Sequence, residues 1–284
     1  MVALVAATVL PRLSVSDTLT VARLMLWIFG VDDRVDERVF TLEEMRRRAK
    51  QWYSIARYGP GSKVENSDGF AVMLAEIRKE LSKSHLFEPL REYWAGSVPR
   101  LVEAMAQELQ YGLQYNAYGA DALPSLDEYL HDDSLGMYLW QSAALILLRD
   151  SSVMERFGPI GEVIKHAGVA IRLYNDVRTF DREMREGGVN SVLIMYQKRL
   201  GGTLNTTKKE DTLAKAREHV LRLADSYAQR CYDLIGQLQT ASGRFEETTY
   251  RLVAFHAHFY GRTEYDYHTT SLAEAHEMLS GSTP

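Results

Sequence analysis

The sequence predicts an all-α protein, and three observations carry that prediction. Apolar residues recur at spacings of three and four along most of its length, as in Leu24, Ile28 and Val31 or Leu139, Ala143 and Leu147. Stretches of strict apolar and polar alternation, the mark of half-buried strands, are scarce. Glycine, proline and small polar residues cluster at 58–67, 118–125, 158–161, 187–190, 201–207 and 242–243, which divides the chain into about eight or more helices. No internal period repeats, so a solenoid is not expected.

The opening MVALVAATVL is apolar, lacks a basic leader and soon meets Pro11, so it is expected to be a packing arm or helix start rather than a secretory signal. Ser16 and Asp17 supply a helix entry, and the helix they open is expected to run through Trp27 to about Val31 and end in a run of carboxylates. A second informative helix is expected from Ile160 to Arg185, stopped by Gly187 and Gly188. A final apolar run, flanked by His256 and His258, forms the last helix. Neither histidine is assigned as a base, because isolated histidines usually serve structure or lie on the surface.

One domain spanning 1–284 is expected, since helices surrounding a hollow can share a single core at this length. With 46% hydrophobic and 25% charged residues the composition is that of a globular enzyme, which excludes disorder and a collagen-like or disulfide scaffold. A formal charge of -5 argues against nucleic acid, whose phosphates demand a basic surface. Cys231 is the lone cysteine and cannot form an internal disulfide. No stretch approaches the roughly 20 apolar residues of a membrane span. A cytoplasmic location is the expectation.

The segment FGVDDRVDE places Asp32 and Asp36 on one helix face about 40° apart, with Asp33 about 100° from Asp32. Carboxylates this close repel one another. Hard oxygen ligands favour Mg2+, which proteins usually hold with one or two carboxylates completed by substrate phosphates. Met25, Ile28 and Phe29 precede the cluster on nearly the same face. That pattern describes an apolar pocket with a metal-binding mouth. The competing reading is a solvated acidic turn, with Arg34 and Arg38 forming local salt bridges.

Downstream, RLYNDVRTFDRE sets Asn175, Thr179 and Glu183 on a stripe that drifts by about 40° per step. Their amide, hydroxyl and carboxylate oxygens can chelate one cation together. Arg172, Arg178 and Arg182 flank the stripe. Guanidinium groups beside metal ligands imply an anion, and a diphosphate satisfies both, because guanidinium forks match phosphate oxygens.

With both motifs in place, the chain resembles bacterial class I terpene synthases, in which a DDxxD motif faces an N-D-x-x-(S/T)-x-x-x-E motif across a cavity mouth. The likeness spans residues 14–267. It implies a bundle of helices around a central apolar cavity, three Mg2+ ions with substrate bound, and ionisation of an allylic diphosphate. Asp32, Asp33 and Asp36 would hold two ions and Asn175, Thr179 and Glu183 a third, with Asp32, Asp36, Asn175 and Glu183 essential to turnover. Arg182, directly before the glutamate, occupies the family's place for a basic diphosphate contact. In FYGRTEYDYH, Arg262 and Tyr265 resemble the family's C-terminal basic and tyrosine pair, although Thr263 and Glu264 intervene. Where relatives carry a diphosphate-sensing arginine, EYLHDDSLG has His131, Asp132 and Asp133; Arg172 or Arg178 is expected to substitute. The break at Gly136, followed by Met137 and Tyr138, resembles the family's kinked helix beside the reacting chain. Cavity walls are expected from Met25, Ile28, Phe29, Gly136, Met137, Tyr138, Ile171, Phe255 and Phe259.

The compact size and early first motif are similar to stand-alone diterpene synthases of soil bacteria, rhizobial ent-kaurene synthases among them. This implies ent-copalyl diphosphate as substrate, supplied by a separate class II cyclase, and ent-kaurene plus diphosphate as products. The early motif also leads us to expect that one or two helices shielding the pocket in relatives are missing. A sesquiterpene cyclase acting on farnesyl diphosphate is the near alternative. Further off is a helical adaptor without chemistry, for which both acidic stripes would be solvated faces. Relatives are commonly homodimers.

Overall fold

A computed structural model describes residues 2–60, 68–133, 135–201 and 209–262. Tyr265 and most of the break expected at 201–207 lie outside the described residues. Eleven α-helices and no strand occur among the described residues. In order they are α1 (Val2–Val9), α2 (Val15–Asp36), α3 (Leu42–Tyr58), α4 (Gly69–Leu81), α5 (Phe87–Tyr118), α6 (Leu126–His131), α7 (Met137–Leu148), α8 (Phe157–Glu186), α9 (Ser191–Ile194), α10 (Lys209–Leu238) and α11 (Arg244–Tyr260). No described helix is long and apolar enough to cross a membrane.

Two boundaries differ from the sequence expectation, each for a local reason. The cap of α2 is Ser14, whose hydroxyl accepts from the Asp17 amide at 3.1 Å, so Ser16 already lies inside the helix. At the other end α2 runs on through the carboxylates to Asp36. The break expected at 158–161 is the first turn of α8, where Pro159 has no amide to lose. The end of α8 is as expected: Gly187 adopts φ 79° and its amide returns to the Glu183 carbonyl.

All four tryptophans are buried, and one of them fixes the helix that carries the first acidic cluster. Trp27 of α2 meets Trp52 of α3 edge to face at 5.0 Å between centroids, and its indole N–H donates to the Phe70 carbonyl of α4 at 2.9 Å. Such an aromatic pair adds about 1 kcal/mol to the area it buries. Arg149 clamps the start of α2 through Asp17 at 2.8 and 3.1 Å. Held at both places, α2 can present its C-terminal turn at a defined position. The second stripe is fixed by packing of α8 along α10 and α11, with Tyr174 Oη donating to Asp225 at 2.7 Å.

Candidate active site

The last turn of α2 carries Asp32, Asp33 and Asp36 where a helix dipole favours cations over anions. Arg34, the basic residue of that turn, pairs with Glu37 at 3.3 Å, so the reason for three neighbouring aspartates is sought across the structure. Asp32, Asp33 and Asp36 line one side of a cavity of about 490 Å3, and Asn175, Thr179, Arg182 and Glu183 of α8 line the same cavity. The two stripes therefore converge. Phe29, Met105, Leu109, Leu135 and Val189 add an apolar lining. A larger hollow of about 810 Å3 lies between α2, α3 and α4 beside Trp27, Arg47, Arg48 and Phe70, and holds neither motif.

Crowded negative charge is the dominant electrostatic feature. Burial, then the charges of Asp36, Glu108, Asp33 and Glu183, push Asp32 well above the usual carboxylate range. Asp36, exposed at the mouth, is raised to about 6 by loss of water on its inner side and by Glu108 and Glu186, against the pull of Arg182. Glu183 is pushed up to about 8 by burial and by Asp176. Only neutralisation by cations lets such a cluster ionise together.

The donor set is all hard oxygen, which fits Mg2+. Among the described residues no three His, Cys, Asp or Glu side chains sit close enough to chelate an ion by themselves. An ion here would therefore need ligands from outside the protein, and that is how Mg2+ is commonly held, with a few carboxylates completed by phosphate and water oxygens.

Asn190 anchors the α8 side of the site. Buried to 1% exposure, it donates from Nδ2 to the Asp176 carbonyl at 3.1 Å and to Glu183 Oε2 at 3.0 Å, while its Oδ1 caps α9 by accepting from the Leu193 amide. The buried Asp176 accepts the Ser191 amide at 2.9 Å and the Tyr129 hydroxyl at 3.3 Å. Thr179 donates its hydroxyl to the Asn175 carbonyl at 2.9 Å and is among the residues lining the cavity.

The expected arginines separate. Arg182 lines the cavity. Arg178 is exposed and does not line it, and Arg262 is exposed just beyond α11. Arg172 is buried with its guanidinium turned elsewhere: it donates to the Tyr129 and Asp132 carbonyls at 2.8 and 2.9 Å, pairs with Glu108 at 3.2 Å and stacks 3.7 Å above the Tyr129 ring. Burial opposes its charge, but Tyr129, Glu108 and Asp176 outweigh burial and hold it above the ordinary arginine range. The segment expected to sense diphosphate is thereby tied to α8 through Arg172. Asp133 in that segment caps α7, accepting the Met137 and Tyr138 amides at 2.9 and 3.0 Å.

Of the expected wall residues, Phe29 lines the described cavity. Met25, Ile28 and Ile171 are buried and are not among its lining residues. Gly136 turns with φ 68°, a conformation that side chains rarely adopt, and a Cβ there would press on Ile28 and Leu101 at 3.1 and 3.3 Å. Met137 packs over Gly168, and Tyr138 lies under the Arg100 guanidinium at 3.7 Å. Phe255 and Phe259 stack on each other at 5.5 Å in the core of α11. Several lining residues escaped the sequence reading, Met105, Leu109, Leu135 and Val189 among them. Glu108 and Gly112 come from α5, and Tyr260, hydrogen-bonded to Asn175, ends α11.

The fold is similar to germacradien-4-ol synthase from Streptomyces citricolor, with TM-score 0.67 and 16% identity over 92% of this chain and 83% of that one. It is similar to a-eudesmol synthase, with TM-score 0.64 and 16% identity over 99% and 84%. The isoprene synthase of grey poplar, solved with three Mg2+ ions and dimethylallyl-S-thiolodiphosphate, matches with TM-score 0.63 and 18% identity over 94% of this chain and 49% of its own. No curated protein matches the chain in sequence. The family described as "Terpene synthase family 2, C-terminal metal binding" matches residues 23–230 and so takes in both acidic stripes. The chain belongs to that terpene synthase family and carries its class I catalytic domain.

Proposed function

We propose that this protein is a Mg2+-dependent sesquiterpene cyclase that ionises farnesyl diphosphate and closes the resulting carbocation to a cyclic product. One observation carries the reading: the Asp32 and Asn175 stripes wall a single cavity that Phe29, Met105, Leu109, Leu135 and Val189 line with apolar surface. When bound, Mg2+ supplies positive charge for the departing diphosphate. The poplar isoprene synthase, solved with three Mg2+ ions and a thiolodiphosphate, supports three ions here. Asp32, Asp36, Asn175, Thr179 and Glu183 supply oxygen ligands, with Asp33 at the rim. Arg182 lies where it can hold a diphosphate oxygen. Phe29, Met105, Leu109 and Leu135 keep water and nucleophiles from the cation, and the Phe29 and Tyr260 rings offer π faces to it.

The farnesyl substrate is favoured because the similar structures include synthases named for germacradien-4-ol and eudesmol, both sesquiterpene alcohols. Conversion of ent-copalyl diphosphate to ent-kaurene, with a class II partner supplying the substrate, rests on the sequence resemblance alone. The test offers the purified protein geranyl, farnesyl, geranylgeranyl and ent-copalyl diphosphates with Mg2+ or EDTA, followed by hydrocarbon analysis. Mg2+-dependent turnover of farnesyl diphosphate is expected. Turnover confined to ent-copalyl diphosphate restores the diterpene reading, and no diphosphate release from any substrate points to an adaptor. Asp32→Ala and Asn175→Ala should each abolish turnover with helical circular dichroism intact; activity surviving in both would displace the site.

A further inference from the structure

Glu183 stands at the end of a 30-residue helix, where a free glutamate would sample several rotamers. Its carboxylate is caught by a residue beyond the following turn. Both Nδ2 protons of Asn190 are committed, one to the Asp176 carbonyl and one to Glu183 Oε2, so the amide can neither rotate nor donate elsewhere. The Asn190 backbone is fixed in turn, since Oδ1 caps α9 and the neighbouring Ser191 amide binds Asp176. Asn190 thus triangulates between two points on α8 and the start of α9.

We infer that Asn190 is a positioning residue that holds the Glu183 carboxylate, which lines the cavity, in place for a divalent cation. The inference rests on Glu183 being a metal ligand, as proposed above. Partners that orient a ligand in this way typically change metal affinity about 10–100-fold when removed. A purely structural cap would change stability and leave metal affinity unaltered.

Asn190→Ser separates the two roles. Serine caps a helix about as well as asparagine, so α9 keeps its start, but its short hydroxyl cannot span Asp176 and Glu183 together. Mn2+ binding to the full-length protein is followed by electron paramagnetic resonance in the presence of inorganic diphosphate, for wild type, Asn190→Ser and Glu183→Gln, with thermal melts of each. Asn190→Ser should weaken Mn2+ binding at least 10-fold, with a melting temperature close to wild type. Asn190→Thr, which keeps the same capping group, should behave alike. If Glu183→Gln loses Mn2+ and both Asn190 variants bind it as wild type does, Asn190 is only a cap and the positioning role fails. If Glu183→Gln itself leaves Mn2+ binding unchanged, the ligand assignment fails instead.

Discussion

Gly112 offers the sharpest test of how α5 sets the width of the site, because two opposing effects can be weighed. It lies within α5, where glycine costs about 1 kcal/mol relative to alanine. A Cβ at this position would meet the Gly187 carbonyl oxygen at 2.9 Å, and that oxygen belongs to the backbone of the turn closing α8. It cannot swing aside as a side-chain tip would. The same carbonyl accepts Asn116 Nδ2 at 2.8 Å, so retreat stretches a hydrogen bond as well. Overpacking of this kind costs about 1–3 kcal/mol, against about 1 kcal/mol regained in helix propensity. Gly112→Ala should therefore range from nearly neutral to about 2 kcal/mol less stable. Its effect on turnover should be larger, because the displaced turn leads from Glu183 to Asn190, and a misplacement of about 1 Å can cost about 100-fold in rate. The assay pairs denaturant melts with Mg2+ titration of diphosphate release. A variant that is more stable than wild type and keeps its Mg2+ dependence would show that α5 and the turn do not press on each other.

Arg172→Met should lower stability by about 3 kcal/mol or more, since it strands Glu108 among the carboxylates, and Arg172→Lys should not restore it because one ammonium cannot reach two carbonyls and a carboxylate. Unaltered melting with weakened binding of inorganic diphosphate would instead make Arg172 a direct diphosphate contact. His256 is lowered to about 4 by burial, so it is neutral in the fold, while its unfolded value stays near 6.5. Its contribution to stability is complete above the unfolded value and falls as the pH drops toward 4, by about 3 kcal/mol in all; His256→Phe should remove that part of the acid slope in urea melts between pH 4 and 7. Asp32→Asn should melt higher than wild type without metal, because it relieves the repulsion from Asp36, Glu108, Asp33 and Glu183. Mg2+ with inorganic diphosphate should raise the melting temperature of wild type much more than that of the variant.

Residues fixed by helical spacing were legible in the sequence, and residues fixed by tertiary approach were not. Asn175, Thr179 and Glu183 fall on one face of any α-helix, so finding α8 was enough to assemble them. The start of α2 was equally local, and the spacing of Ser14 to Asp17 was the signal overlooked, since each contributes a hydrogen bond to the other. Arg172 shows the limit. Its angular place beside the stripe followed from spacing, but its guanidinium direction depends on carbonyls of Tyr129 and Asp132, 43 and 40 positions away. Glu108 stands in AQELQY with no neighbour to mark it, and only the packing of α5 brings it to the cavity. Tyr260 carried a usable sign: it is an aromatic at the end of α11, four residues after His256. The motif-like run further on drew attention to Tyr265 instead.

The acidic end of α2 joins these observations into one argument. A helix that ends in Asp32, Asp33 and Asp36 opposes its own dipole, and the folded chain adds Glu108 and Glu183 to the same charge field. Arg172 balances Glu108 and Arg182 acts on Asp36, but both leave most of that field in place. A protein selected for stability alone would lose these carboxylates readily, since surface and rim substitutions are usually cheap. Trp27, Arg149 and Asn190 do the reverse: they hold the two charged stripes toward one another against repulsion. Rigid elements that keep like charges together store free energy which an arriving cation and anion release. The affinity of the site for metal diphosphate and its instability when empty are therefore two measures of one quantity, and mutations that improve the second should weaken the first.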